Sequence, residues 1–507
     1  MRDVSDRSGL QRPDRSKRET RGVWLFIFVL GLSMRWAYAL SFPALVQLED
    51  VDARGYQALA LNTLTGHGFS LNTDPPYVPD AIRTPAYPLF IAFIYLVGGR
   101  DPLHVALVQG LLDSGTALVL IGLTARLTGR PRLGFIAGGL YALNPIAWRF
   151  CNELLTEIPL AFILTLMLWA FGRYLENRKT GWLAFGGALT GLALLIKPNV
   201  ILLPFILGVA TILSSLHRGL TPSLTLPHRE VQRWGRAGWG PSRLWVAALP
   251  IGVALILVFP WMARNRIVFG RWFLSQAFES NLARVSAVAT LAHAQGERVA
   301  PWTPRWEAIY SGLILQAQAR YGPAFISTPQ TAMEADQALL QLAAVSADVI
   351  RQHPRDFLLA HVEGFIRSWV PQEHRFWYGV LTGQSWESLG SEEGVLGQAL
   401  ARFHNEGLSA AIAFVWQARV ASLPPLALGL WLGWIIIYLI SAVLSLRGLW
   451  QFRDRPAFEF ISLATIFYVT FLPGPIAYIR FQVPILPLLM VFIASGLAGF
   501  SSSALTS

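Results

Sequence analysis

The sequence predicts an all-α polytopic membrane protein, and three observations carry that reading. Only 14% of the 507 residues are charged while 53% are hydrophobic, against roughly 25% charged in soluble domains. A soluble chain of this length would divide into about three domains, each needing a polar coat. Apolar runs close to the ~20 residues that cross a bilayer recur along the chain. The 41 Lys and Arg, against 30 Asp and Glu, concentrate in alternate connections between those runs, as the positive-inside rule requires. The basic excess is therefore largely topological, and nucleic acid loses its motive as a partner. A single cysteine, Cys151, excludes an intramolecular disulfide.

The elements follow in order. Residues 1–22 are polar, contain seven Lys/Arg, and read as a disordered cytoplasmic tail. Val23 to Phe42 is long enough to span, and no small-residue cleavage site follows it. It is expected to run outward, with Arg35 either facing the bundle interior or snorkelling. The polar stretch 43–85 is then external. Tyr87 to Gly98 is too short to span and is expected as an interfacial or re-entrant helix. Further spans are expected near 103–125, 133–150, 158–175, 181–196, 199–216, 244–263, 425–446, 456–473 and 481–500, about ten in all. The cytoplasmic connections then hold Arg126, Arg130 and Arg132, then Arg173, Arg178 and Lys179, then Arg218 to Arg243, then Arg447, Arg453 and Arg455.

Two long segments remain. The cytoplasmic 217–243 is rich in Pro, Gly, Trp and Arg without a period, and reads as a disordered insertion. The external 264–424 carries amphipathic patterns such as Ala332–His353 and Arg355–Trp369 and many tryptophans. Tryptophan favours the membrane interface, so a mostly helical domain resting on the outer leaflet is expected there. The domain plan is thus a tail at 1–22, a membrane core at 23–263 with its first external loop at 43–102, the external domain at 264–424, and closing spans at 425–507.

No phosphate-binding Gly-rich loop, zinc-ligand spacing or nucleophile elbow is present. The external side is more informative. In Glu49-Asp50-Val51-Asp52, three carboxylates fall within four positions, and Asp52 and Tyr56 would share a helical face. Asp52 is either a helix N-cap or a general base near the membrane surface. At the next outer junction Glu153 and Glu157 are again four apart, a pair that is either a solvated loop or functional. Arg83, Lys197, Arg264, Arg266 and Arg480 lie at the outer boundary, where cations are uncommon. They either anchor headgroups one by one or together bind an anion, a lipid phosphate being the obvious one. Asp113 and Glu459 are the carboxylates expected well inside spans, where a transporter would need them.

These elements, in this order, resemble the GT-C class of integral-membrane glycosyltransferases. They are most similar to bacterial glycosyltransferase family 39, relatives of protein O-mannosyltransferases and lipid A aminoarabinose transferases. The resemblance rests on Asp52-x-x-x-Tyr56, Arg83-Thr84-Pro85-Ala86-Tyr87-Pro88, Leu155-Thr156-Glu157, Leu195-Ile196-Lys197-Pro198, Pro260-Trp261-Met262-Ala263-Arg264-Asn265 with Phe269-Gly270, and Arg480-Phe481-Gln482-Val483-Pro484. Thr84 and Gln482 depart from the family pattern, and Glu157 stands where some relatives have Asp.

The resemblance implies a GT-C-like bundle with interfacial helices in the first external loop. It implies transfer of a sugar from a polyprenyl-phosphate-linked donor to an acceptor glycan, lipid or protein outside the plasma membrane, with both termini cytoplasmic. On it, Asp52 is the base and Glu157 is catalytic. Arg83, Arg480, Lys197 and Arg264 bind the donor phosphate, and Tyr56, Glu153 and Tyr87 contact substrate. No nucleotide cofactor is implied, and a divalent cation is left open. A transporter or flippase of lipid-linked or small substrates is the alternative, and a non-catalytic assembly protein a third reading.

Overall fold

A computed structural model describes residues 15–42, 51–220, 241–384, 395–421 and 423–501. Among them every regular element is helical. The first is α1 (Arg15–Ser41), whose Arg, Lys and Glu residues are good helix formers and carry the helix back into the expected tail. Residues 15–22 are therefore helical, and 1–14 lie outside the described residues. Helices α2 (Val51–Leu64) and α3 (Ala86–Gly98) fall in the loop expected to be the first external one. Only 13 residues long, α3 buries Tyr87, Ile91 and Tyr95.

The bundle continues with α4 (Pro102–Thr128), α5 (Pro131–Ala142), α6 (Pro145–Cys151), α7 (Glu157–Asn177), α8 (Thr180–Ile196), α9 (Leu203–Leu220) and α10 (Pro241–Phe269). The expected span 133–150 is not one helix. Asn144 caps α6, accepting from the amides of Ile146 and Ala147, and Pro145 occupies the first helical position. That start signal breaks the run. The expected span 244–263 runs on to Phe269, so Arg264 and Arg266 sit inside α10. Of the expected insertion 217–243, residues 217–220 and 241–243 are helical, and 221–240 lie outside the described residues.

Seven helices among the described residues are long and apolar enough to cross a membrane, and α8 and the later Pro456–Phe471 are shorter apolar helices. With them the protein is a multi-pass membrane protein. Packing of α8 on α10 depends on small residues. A Cβ on Gly187 would stand 2.6 Å from Pro250 Cα, and one on Gly191 3.1 Å from Ala254 Cα. Small residues four apart let membrane helices approach where no hydrophobic effect drives them together.

Arg35 faces the interior. Its Nε donates to Asp113 Oδ2 at 2.6 Å and its Nη1 to the Ala142 carbonyl at 2.9 Å, and both charged side chains are fully buried. Tyr141 also donates to Asp113. The pair ties α1, α4 and α5 together.

Outside the bundle lie α11 (Ala277–Asn281), α12 (Ala287–Ala294), α13 (Pro304–Tyr321), α14 (Ala332–Gln352), α15 (Pro354–Ser368), α16 (Glu373–Thr382), α17 (Val395–Glu406) and α18 (Leu408–Val415). They have their own core around Trp306, Leu313, Leu342 and Val349. A full capping box from Thr331 and Glu334 starts α14. The chain closes with α19 (Pro425–Trp450), α20 (Pro456–Phe471), a tight 3₁₀ stretch Ile479–Ile485, and α21 (Leu486–Ser501). Glu459 lies in the first turn of α20 rather than well inside the span, where the helix dipole favours a carboxylate.

Candidate active site

Five chain segments bring ionised groups to one place. Asp52 lies in the first turn of α2. Arg83 follows a loop that Asp80 braces, its carboxylate Oδ2 accepting from the Arg83 amide at 2.9 Å. Ser275 donates to the Ile82 carbonyl and the Gln276 amide to that of Ala81, which pins this loop to the segment after α10. Glu157 is the first residue of α7, at the positive end of the helix dipole. Lys197 ends α8. The proline after it disfavours helical geometry, and Lys197 is accordingly extended, at φ −145°. Arg480 belongs to the buried 3₁₀ stretch before α21.

The contacts form one network. Arg83 Nη2 donates to Asp52 Oδ1 at 3.0 Å, and Arg480 Nη2 stands 3.1 Å from Asp52 Oδ2. Arg480 Nε and Lys197 Nζ both donate to Glu157 Oε1 at 2.6 Å. The Glu157 side chain is fully buried, whereas that of Asp52 remains 45% exposed. Burial pushes the Asp52 carboxyl up, but Arg480, Arg83 and Lys197 outweigh it and hold the group below the usual carboxylate range. Asp52 is thus ionised at neutral pH and open to solvent on one side. Among the described residues, Arg83, Lys197 and Arg480 meet the carboxylates of Asp52 and Glu157.

Aromatic rings wall the cluster. Tyr56 is buried, meets Tyr87 edge to face at 4.9 Å, and carries the Arg83 guanidinium 5.3 Å from its ring centre. Lys197 Nζ lies 4.9 Å from the Phe481 ring centre. Beside Lys197 is a small, largely apolar cavity of about 10 Å³, room for a single water, whose walls include Leu160, Val200, Val469, Leu472, Phe481 and Pro484.

Arg264 is not part of this network. Its Nη1 donates to the Asp80 carbonyl at 3.1 Å, and its guanidinium stands 4.7 Å from the Trp261 ring centre. Glu153 does not share a helical face with Glu157, because the helix ends at Cys151 and restarts at Glu157. It pairs with Arg149 at 3.2 Å, and Arg149 also reaches Glu373 of α16 at 3.0 Å. Gln109 joins two of the expected substrate residues indirectly, accepting from the Tyr87 hydroxyl at 2.8 Å and donating to the Glu153 carbonyl at 2.9 Å.

Asp80 and the Arg149–Glu373 link were not singled out from sequence. Asp80 carried a usable signal, an Asp three residues before Arg83 in a turn-rich loop. Burial pushes its carboxyl up, against the amides of Arg83 and Ile82 that hold it down. Nothing local marks Glu373, whose partner is 224 positions away. Among the described residues no three His, Cys, Asp or Glu come together closely enough to hold a metal ion. The two carboxylates proposed for a transporter have other roles, since Asp113 is locked to Arg35 and Glu459 sits at a helix start.

An all-α multi-pass bundle with a charged cluster joining the loop after its first span to its last span is the class that this fold and site define. The resemblance to GT-C glycosyltransferases has independent support. Residues 82–227 match the family model described as dolichyl-phosphate-mannose-protein mannosyltransferase. That stretch includes Arg83, Tyr87, Glu153, Glu157 and Lys197 but not Asp52 or Arg480.

No curated protein matches the sequence. Among solved structures, the oligosaccharyltransferase AglB from Archaeoglobus fulgidus, in complex with an inhibitory peptide and a dolichol-phosphate, aligns at 14% identity and TM-score 0.49, over 96% of this chain and 51% of that one. The apo form of the oligosaccharyltransferase from that organism aligns at 13% and TM-score 0.47, over 97% and 52%. ArnT from Cupriavidus metallidurans, bound to undecaprenyl phosphate, aligns at 14% and TM-score 0.35, over 97% and 79%. The chain spans about half the length of the two oligosaccharyltransferase chains.

Proposed function

We propose that the protein is a glycosyltransferase that moves a sugar from a polyprenyl-phosphate-linked donor to an acceptor hydroxyl on the outer side of the plasma membrane. The observation that carries the proposal is the network of Asp52, Arg83, Glu157, Lys197 and Arg480. Arg83, Lys197 and Arg480 supply the cationic hydrogen-bond donors that a lipid-linked phosphate needs. In transfer the acceptor oxygen attacks the anomeric carbon, its proton passes to Asp52, and the bond from anomeric carbon to phosphate oxygen breaks. The departing phosphate gains a second negative charge as Asp52 loses its own, so the step leaves the total charge of the site unchanged. Arg83, Lys197 and Arg480 stabilise that growing charge by charge-assisted hydrogen bonds.

On this reading Glu157 holds Arg480 and Lys197 in place, and Tyr56, backed by the buried Tyr87, supports the Arg83 guanidinium. Arg264 and Glu153 support the loop and the external domain. Both termini are placed in the cytoplasm.

The test is incubation of the purified protein with a panel of polyprenyl-phosphate sugars, measuring sugar consumed and free polyprenyl phosphate released. Release from at least one donor, lost in Asp52→Asn, is the expected result. No consumption of any donor in the presence of glycan, lipid and peptide acceptors overturns the proposal.

A further inference from the structure

Arg83 lies across a helix surface that leaves no room for a side chain at one position. Its guanidinium rests on the face of α2 formed by Asp52, Gly55 and Tyr56, residues spaced to share one side of a helix. Nη2 bonds Asp52, and Tyr56 offers its ring. A Cβ built on Gly55 would fall 2.7 Å from both Cζ and Nη2 of Arg83, and 3.1 Å from its Nε. No real Cβ sits that close. The backbone does not ask for glycine here, because Gly55 is inside a regular helix and is not among the glycines of positive φ. A glycine inside a helix weakens it relative to alanine. The gain from having one lies in what it lets Arg83 do. Among the described residues, Arg83 Nε is buried without a hydrogen-bond partner, which leaves a donor unused in the seat.

We propose that Gly55 is a positioning residue whose missing Cβ forms the seat that holds the Arg83 guanidinium against Asp52 and aims it at the donor phosphate. The inference rests on the glycosyl-transfer reading above. The atoms a Cβ would strike are the far end of a flexible side chain, not backbone. Gly55→Ala therefore moves the guanidinium and leaves the helix intact.

The experiment compares wild type, Gly55→Ala, Arg83→Lys and the double variant. It measures thermal unfolding, binding of undecaprenyl phosphate, and initial rates across pH with the donor that the wild type consumes. Gly55→Ala is expected to unfold at or above the wild-type temperature. Its donor KM and its dissociation constant for undecaprenyl phosphate rise by about tenfold or more, the scale of one charge-assisted hydrogen bond. The acid limb of its pH profile moves up, because Asp52 loses a neighbouring cation. In the Arg83→Lys background the planar fork is gone, and the same substitution changes KM by less than about twofold, the non-additivity of residues in contact. Wild-type KM and lipid-phosphate affinity in Gly55→Ala overturn the seat, as does an equal loss of activity or of unfolding temperature in both backgrounds. A wild type that neither consumes a polyprenyl-phosphate sugar nor binds undecaprenyl phosphate overturns the functional reading itself, whatever the variants do.

Discussion

Glu157→Gln removes the negative charge that two cations share. Both Arg480 Nε and Lys197 Nζ lean on Glu157 Oε1 at 2.6 Å, and the carboxylate is wholly buried. Taking away one partner of a buried ion pair costs about 3–5 kcal/mol, because the remaining charge is stranded. Glutamine keeps an acceptor oxygen but not the charge, which places the expected cost near about 3 kcal/mol. The variant should unfold at a lower temperature in detergent. An anion should then do what the carboxylate did. Undecaprenyl phosphate is expected to bind the variant more tightly than the wild type, by about tenfold if one charge-assisted hydrogen bond is gained. Titration with that lipid should accordingly raise the unfolding temperature of the variant more steeply than that of the wild type. Thermal unfolding followed by intrinsic tryptophan fluorescence, with undecaprenyl phosphate titrated in, reads both effects. Equal lipid-induced shifts in the two proteins would refute the placement of the phosphate on Arg480 and Lys197.

Asp52→Asn should fold and insert but lose transfer by ~10² to 10⁴-fold, the usual worth of a general base, as read from product release per folded molecule. For pH dependence, the Asp52 carboxyl sits below its ordinary range, so its ionised form, and the stability of its ion pairs, persist well into acid and are lost as pH falls through the lowered value. Arg480→Ala removes one of the cations responsible, and the acid limb of kcat/KM should move to higher pH. Arg264→Ala, which removes bonds to the Asp80 carbonyl and Asn265 Oδ1 and the contact with the Trp261 ring but touches neither Asp52 nor Glu157, should raise donor KM less than Arg480→Ala does in the same assay. Arg35→Met strands the buried Asp113 and should cost about 3–5 kcal/mol of stability, visible as lower yield and unfolding temperature with near-normal turnover in the surviving protein.

The parts of this site that the sequence exposes are those where a charge sits against a helix boundary. Lys197 precedes Pro198, Glu157 opens the apolar run of α7, and Arg480 opens the last one. Hydropathy fixes where a run begins, so it fixes the depth of a charge beside that boundary. Depth alone does not identify partners. Arg264 and Arg480 lie at similar boundaries, yet one meets a backbone carbonyl and the other two carboxylates. The difference is made by the Asp80 loop, whose position depends on contacts from Ser275 and Gln276 nearly two hundred residues away.

Hydropathy also measures the apolar length and not the helix length. It therefore stopped at 263 where α10 continues to Phe269, and it ran through Asn144-Pro145, where a capping side chain and a proline restart the helix. Gly55 shows the same limit at the smallest scale. In the sequence it is an unfavourable residue inside a helix, and only the guanidinium lying across it gives a reason for its presence. The network is thus assembled from charges that the chain displays openly and from steric permissions that it does not. The second kind determines whether Arg83 reaches Asp52, and with it whether the cations converge on one phosphate or remain separate anchors.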